Sequence, residues 1–278
     1  MSRREVICIS GCSSGIGYAL AERLAARGTI VYAGVRDPAS APRIALARAL
    51  QLDVTRSEEI AAAVARIERE VGSMDVLINN AATNAIGPWE ATPGEVIQHV
   101  FAVNFFGAVN LTKAVLPMMR RQRSGRIVMV SSLSALIALP LAGAYAASKA
   151  ALEAFAESLS YEVKPWNIHL SLLNPGGYAT GLDSRAWRPA RETLGDYSPL
   201  DAHLRAPAAA SAGGSEDAAE RIIAAMNERS DRLRRPLDAT GHWVFRTLRL
   251  DGDAESDRDS ILRKVSGLEW WFGPRKSP

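Results

Sequence analysis

Tyr145 and Lys149 stand four residues apart, a spacing that puts them one turn apart on one face if the segment is helical. A free phenol has a pKa of about 10 and exchanges protons poorly near neutrality. An adjacent ammonium favours the phenolate and draws that value downward, which is what a general acid/base needs. A Tyr-x-x-x-Lys pair recurs by chance in many chains, so its meaning depends on the elements that hold it.

Those elements alternate regularly. The run at 5–10 (EVICIS) is short and β-branched and reads as a buried strand. A glycine-rich turn follows, Gly11-Cys12-Ser13-Ser14-Gly15-Ile16-Gly17, then a helix with Ile16, Leu20 and Leu24 on one face, closed by Gly28. Strand, glycine turn and helix form a cradle for a phosphate at a helix N-terminus. Further strands are expected at 29–35, 49–53, 75–80, 125–131 and 168–173. Helices are expected after the Thr55-x-x-Glu58 capping box, from the Thr92-Pro93-Gly94-Glu95 start signal to about 121, over 144–163 and over 215–228. Six uninterrupted alternations predict a parallel sheet covered on both faces, with right-handed connections.

The end of the second strand is where a dinucleotide fold selects its cofactor. Here it reads Gly34-Val35-Arg36-Asp37. Arg36 would accommodate a 2′-phosphate, with Ser13 adding a hydrogen bond, so NADP(H) is expected ahead of NAD(H). The competing reading makes Arg36 a surface residue and Asp37 the acid that binds ribose hydroxyls. Asn104, among apolar neighbours in its helix, needs buried partners. It either hydrogen-bonds backbone at a kink or holds a catalytic water. Ser132 lies at the carboxyl end of the fifth strand, where ligands bind in open α/β sheets.

Composition narrows the function. The chain has 278 residues, enough for one α/β domain, and is 47% hydrophobic and 23% charged with a net charge of +3. Its small basic excess, spread among acids, argues for a mixed solvated surface and against nucleic-acid binding. Cys8 and Cys12 are unsuited to a disulfide framework and fit a reducing compartment. The four histidines show no ligand spacing, so no metal is expected. The first apolar run is too short for a signal core or a membrane span, and a cytoplasmic protein is expected. Periodicity fails from Leu182 to about Gly214, a length typical of a lid. The tail carries Trp243, Phe245 and Trp270-Trp271-Phe272, and the last three residues fit a subunit contact, a lid anchor or a membrane-touching patch.

Together these motifs resemble the short-chain dehydrogenase/reductase family, over residues 5 to about 182. Ser10-Gly11-x-x-x-Gly15-x-Gly17 is similar to the family's Thr-Gly-x-x-x-Gly-x-Gly. Asn79-Asn80-Ala81-Ala82 resembles its Asn-Asn-Ala-Gly, departing at Ala82, and Pro175-Gly176 to Thr180 resembles its Pro-Gly-x-x-x-Thr. Asn104, Ser132, Tyr145 and Lys149 match its catalytic tetrad, with Ser132 thirteen residues before Tyr145. The Val-Arg-Asp segment looks most like the hydroxysteroid and retinol dehydrogenase branch and related bacterial ketoreductases.

The resemblance implies a Rossmann-type, doubly wound parallel sheet of about seven strands in a single domain over 1–278. It also implies a substrate lid at 178–214 and leaves a C-terminal extension at 230–278 without a role. It implies cofactor contacts from Gly11, Ser13, Ser14, Gly15, Ile16, Gly17, Arg36, Asp53, Val54, Asn80, Ala81, Tyr145, Lys149, Pro175, Gly176, Tyr178 and Thr180. Ser132 would orient a substrate carbonyl, Tyr145 would exchange its proton, Lys149 would lower the tyrosine pKa, and Asn104 would place a water. The expected activity is NADPH-dependent interconversion of a carbonyl compound and an alcohol. The substrate would be apolar, polyketide- or steroid-like, and Leu182, Trp187, Leu194, Tyr197 and Leu200 would offer it contacts or merely pack the lid. A homodimer or homotetramer is expected. The alternatives are a catalytically silent NADP-sensing regulator on the same fold and a non-redox relative such as an epimerase.

Overall fold

In the computed structural model, residues 3–39, 41–205, 213–228 and 232–248 are described here. Seven strands form one sheet: β1 (Val6–Ser10), β2 (Ile30–Val35), β3 (Arg48–Gln51), β4 (Val76–Asn79), β5 (Gly125–Val130), β6 (Ile168–Asn174) and β7 (Arg234–Pro236). Their order is β3-β2-β1-β4-β5-β6-β7, and every pairing is parallel. The central strands are buried along their whole length, which is why they read as continuous apolar runs. Helices α1 (Gly15–Ala26) and α7 (Ser215–Asn227) pack on one face. On the other lie α2 (Ser57–Val71), the run α3 (Gly94–Phe101) to α4 (Ala108–Gln122), and α5 (Gly143–Glu162). Two short helices complete the described chain, α6 (Ser198–Arg205) and α8 (Ala239–Thr247).

The strand order reverses between β1 and β4, so the turns after both strands open onto one crevice at the carboxyl edge. Strand β7 is absent from the six alternations read along the sequence, because Arg234 and Arg235 do not look like sheet residues. Both are buried, and each finds partners: Arg234 on Glu153 and Glu157, Arg235 on the Ala225 carbonyl.

Neither expected capping box forms. Thr55 Oγ1 donates to Asp53 Oδ1 at 2.7 Å, and α2 starts at Ser57 behind Arg56. Thr92 Oγ1 donates to the Pro88 carbonyl at 2.7 Å, which leaves Pro93 at the N-cap position and not at the first helical one. In both cases the hydroxyl is captured by a local turn before it can reach the helix amides. The helix predicted from 92 to 121 does run through, but it widens into a π turn over Ala102–Gly107, where Gly107 lets Val54 approach; a Cβ there would lie 2.6 Å from Val54 Cγ2. By length and composition the 29 residues Gly94–Gln122 could cross a bilayer. Core helices pass the same test, and here the run packs against α2 and α5.

The stretch from Leu182 is not structureless. It folds into 3-10 turns at Asp183–Arg185, Arg191–Thr193 and Gly195–Tyr197 before α6. Trp187 pairs its backbone with the segment after β4, donating to the Asn84 carbonyl and accepting from Ile86. Trp270-Trp271-Phe272 lies outside the described residues.

Candidate active site

The turn after β1 needs glycine at two positions of positive φ, Gly11 (75°) and Gly15 (61°). It needs a third glycine for space: a Cβ on Gly17 would sit 2.2 Å from the Gly11 carbonyl oxygen and 2.4 Å from Asn80 Nδ2. The same Asn80 amide donates to the carbonyls of Ser10 (3.0 Å) and Gly11 (3.1 Å), while Ser10 Oγ accepts from the backbone of Asn80 and Ala81. Asn80 therefore braces the glycine turn from β4. Thr180 closes over it from the other side, its carbonyl 3.1 Å from where a Gly15 Cβ would stand.

A cleft of about 1270 Å³ runs along this edge. Gly11, Ser13, Ser14, Gly15 and Ile16 line one end, with Arg36, Asp53, Val54, Asn80 and Ala81 beside them; Ser132, Tyr145, Lys149, Pro175, Gly176, Tyr178 and Thr180 line the other. Two expected site residues do not reach it. Gly17 lies under the turn, and Asn104 is 1% exposed behind the wall.

At the far end of β2, Asp37 Oδ1 accepts from the Ala39 amide, which ties that carboxylate into its own turn. Asp53 accepts from Thr55 N and Oγ1 (2.9 and 2.7 Å). Its burial opposes ionisation, yet the Thr55 bonds and the nearby Arg36 charge leave its pKa below the ordinary carboxylate value.

Helix α5 delivers Tyr145 and Lys149, and the start of the loop after β5 delivers Ser132. The Ser132 hydroxyl accepts from the Ser134 amide at 3.1 Å and lines the cleft with Tyr145. Lys149 Nζ donates to the Val130 carbonyl at 2.8 Å. Lys149 is expected to lower the Tyr145 pKa, but the net shift of the phenol runs the other way. Burial pushes the Tyr145 pKa up to about 12; Ser132 opposes the rise and Asp183 adds to it. Lys149 is itself drawn down to about 8 by burial, with Glu153 pulling the other way. Burial is the largest influence on both groups, and the ammonium, turned to a backbone carbonyl, lies 5.7 Å from the Tyr145 ring centre.

Asn104 does the first of the two things its sequence setting allowed. Its Oδ1 accepts from Thr83 N (2.8 Å), and its Nδ2 donates to Thr83 O (2.9 Å) and Ser148 Oγ (3.0 Å). The side chain thus pins the segment after β4 to the π turn and to α5.

Below Pro175, Asp238 caps α8 through Gly241 N and accepts from Gly176 N at 2.8 Å. Tyr178 sits beside it, and burial first and Asp238 second push its phenol up to about 12. Of the five lid side chains expected either to meet substrate or to pack the lid, Leu182 alone lines the cleft; Leu194 is buried elsewhere and Trp187 packs on Ala85, Val100 and Ala144. The apolar wall comes instead from Leu133, Ile137, Leu139 and Pro140 in the loop before α5, and from Val244 of α8. The Leu/Ile-rich run after Ser132 was the signal available for the first group. Among the described residues no cluster of three or more His, Cys, Asp or Glu could hold a metal ion, and Cys8 and Cys12 are free and buried.

A glycine turn braced at a strand end, on a parallel sheet, with a serine, tyrosine and lysine at the neighbouring strand end, defines an oxidoreductase of the dinucleotide-binding type. The chain belongs to the short chain dehydrogenase family, whose model matches residues 5–190. A 3-ketodihydrosphingosine reductase of Bacteroides thetaiotaomicron is 42% identical over 177 residues, 64% of this chain and 65% of that protein. Human retinol dehydrogenase 8 is 42% identical over 193 residues, 65% of this chain and 61% of that protein. The matches thus span somewhat less than two thirds of these relatives. A short-chain dehydrogenase structure from Streptomyces avermitilis superposes with a TM-score of 0.76 at 30% identity, covering 95% of this chain and 98% of that one.

Proposed function

We propose that this protein reduces an apolar ketone or aldehyde to the alcohol with NADPH, or runs the reverse oxidation. The observation that carries the reading is the gathering of Ser132, Tyr145 and Lys149 along one wall of the cleft, Lys149 one turn along α5 from Tyr145. In reduction, Ser132 holds the substrate oxygen and Tyr145 gives it a proton. The buried Lys149 ammonium then offsets the phenolate that remains. A bound nicotinamide supplies the hydride.

The glycine turn would hold the pyrophosphate, since it lines the cleft at the N-terminus of α1. Asp53 and Val54 would lie along the adenine, and Ala81, Pro175, Gly176, Tyr178 and Thr180 along the nicotinamide half. The preference for NADP(H) over NAD(H) rests on Arg36, which lines the cleft while Asp37 is occupied by its own turn. Asn104 acts as a positioning residue for the segment after β4.

The apolar wall of Ile137, Leu139, Pro140, Leu182 and Val244 supports a hydrocarbon-bodied substrate, as do the relatives named for a ketodihydrosphingosine and a retinol. We read the described chain as one catalytic domain with 178–214 as a lid. We further propose that it works in the cytoplasm as a homodimer or homotetramer through the outer faces of α3, α4 and α5, where Phe106 is 54% exposed. NADPH oxidation with a panel of long-chain, steroid and polyketide-like ketones tests the activity. Tight nucleotide binding with no turnover across that panel would favour the silent regulator.

A further inference from the structure

Four residues after Lys149, on the same face of α5, stands a carboxylate that the proposed reaction does not use. Glu153 is 4% exposed, and a charge so buried needs partners. Its partners come from three strand ends. Ser131 Oγ, just past β5, donates to Oε1 at 2.8 Å; Asn174 Nδ2, the last residue of β6, donates to the same oxygen at 2.5 Å; Arg234 Nε on β7 donates to Oε2 at 2.9 Å. Arg234 also reaches Glu157 Oε2 at 2.6 Å.

Two details connect this cluster to the chemistry. Lys149 bonds to the carbonyl of Val130 and Glu153 to the side chain of Ser131, so α5 is fastened to consecutive residues of one strand end, and Ser132 comes next. Asn174 Nδ2 also donates to the Ser132 carbonyl at 3.3 Å, which links the backbone of Ser132 to Glu153 through a single amide.

We propose that Glu153 is a positioning residue of the active site: through Ser131, Asn174 and Arg234 it fixes the helix carrying Tyr145 and Lys149 against the strand end carrying Ser132, and it supplies the counter-charge of Lys149. The kinetic consequence rests on the reduction described above; the electrostatic one does not. The charged and titratable groups around Lys149 are few. Glu153 and Tyr145 face it from its own helix, β5 presents neutral groups, Arg234 faces Glu153 from β7 with Glu157 behind it, and Asp183 acts on Tyr145 from the segment after β6.

The decisive experiment follows the Lys149 ammonium by NMR in protein labelled with 15N-lysine, where only five lysines contribute and Lys149→Arg assigns the signal. In Glu153→Gln the titration should move to lower pH by on the order of one unit. In Arg234→Gln, which removes the cation but leaves the carboxylate, it should move to higher pH. A merely structural role would not move it in opposite senses. Kinetically, Glu153→Gln should lose about tenfold or more in kcat with NADPH affinity kept within about threefold, and Glu153→Asp should recover part of the loss. An unshifted Lys149 titration in folded Glu153→Gln, or shifts of the same sign in both variants, would overturn the proposal. Should Glu153→Gln not fold, an unshifted titration in Arg234→Gln overturns it alone. Failure of the wild type to reduce any ketone counts against the reduction and leaves the titration result standing.

Discussion

The Lys149 ammonium donates to the Val130 carbonyl at 2.8 Å and stands 5.7 Å from the centre of the Tyr145 ring. The lysine is thus anchored to the strand, one turn along α5 from the phenol. Its pKa, drawn down to about 8 by burial, falls in the range where enzymes are assayed.

From this follows a pH dependence. The useful form of Lys149 is the cation, which is lost as pH rises through about 8, whereas Tyr145, pushed up to about 12, keeps its proton well beyond that point. The reductive kcat should therefore decline on the alkaline side with a midpoint near 8. A pH–kcat profile at saturating NADPH checks it; a flat profile to pH 10 would contradict the role given to Lys149.

Replacing Tyr145 by Phe removes the proton donor but little volume. The variant should bind NADPH as the wild type does and lose about 10²–10⁴-fold in kcat, the usual contribution of a general acid. Nucleotide fluorescence and steady-state turnover, measured side by side, separate the two effects.

Arg36→Ala should weaken NADPH by about ten- to a hundredfold, the equivalent of one or two lost charge-assisted hydrogen bonds, and leave NADH nearly untouched. Dissociation constants for both nucleotides provide the test. Equal loss for the two would reassign Arg36 to the surface.

Gly17→Ala places a methyl group 2.2 Å from the Gly11 oxygen, backbone that cannot swing aside. The glycine turn must deform, so dinucleotide binding should be abolished and stability lowered by about 1–3 kcal/mol. Thermal denaturation and nucleotide titration of the variant read both, and a variant that binds normally would show the turn to be pliable.

Much of this was legible along the chain because parallel strands buried on both faces spell themselves out: 5–10, 75–80 and 168–173 each read as an apolar run and each is a strand, give or take a residue or two. Ser132, Tyr145 and Lys149, to which we assign the chemistry, were legible by spacing, and the cleft gathers all three. What escaped was decided by competition at long range. Strand β7 is written with two arginines, whose burial makes sense only beside Glu153, Glu157 and the end of α7. The two capping boxes had the right letters, but Thr55 and Thr92 had nearer acceptors. The direction of the Tyr145 shift depended on how dry its site is, which spacing does not encode.

The brace that Asn80 sets across the Ser10 and Gly11 carbonyls has a thermodynamic corollary. A loop whose curvature is fixed by the protein's own amide has little freedom left to surrender when a dinucleotide settles on it. Swapping that asparagine for alanine would show up as a larger unfavourable entropy of nucleotide association in calorimetry, with the chemical step itself spared.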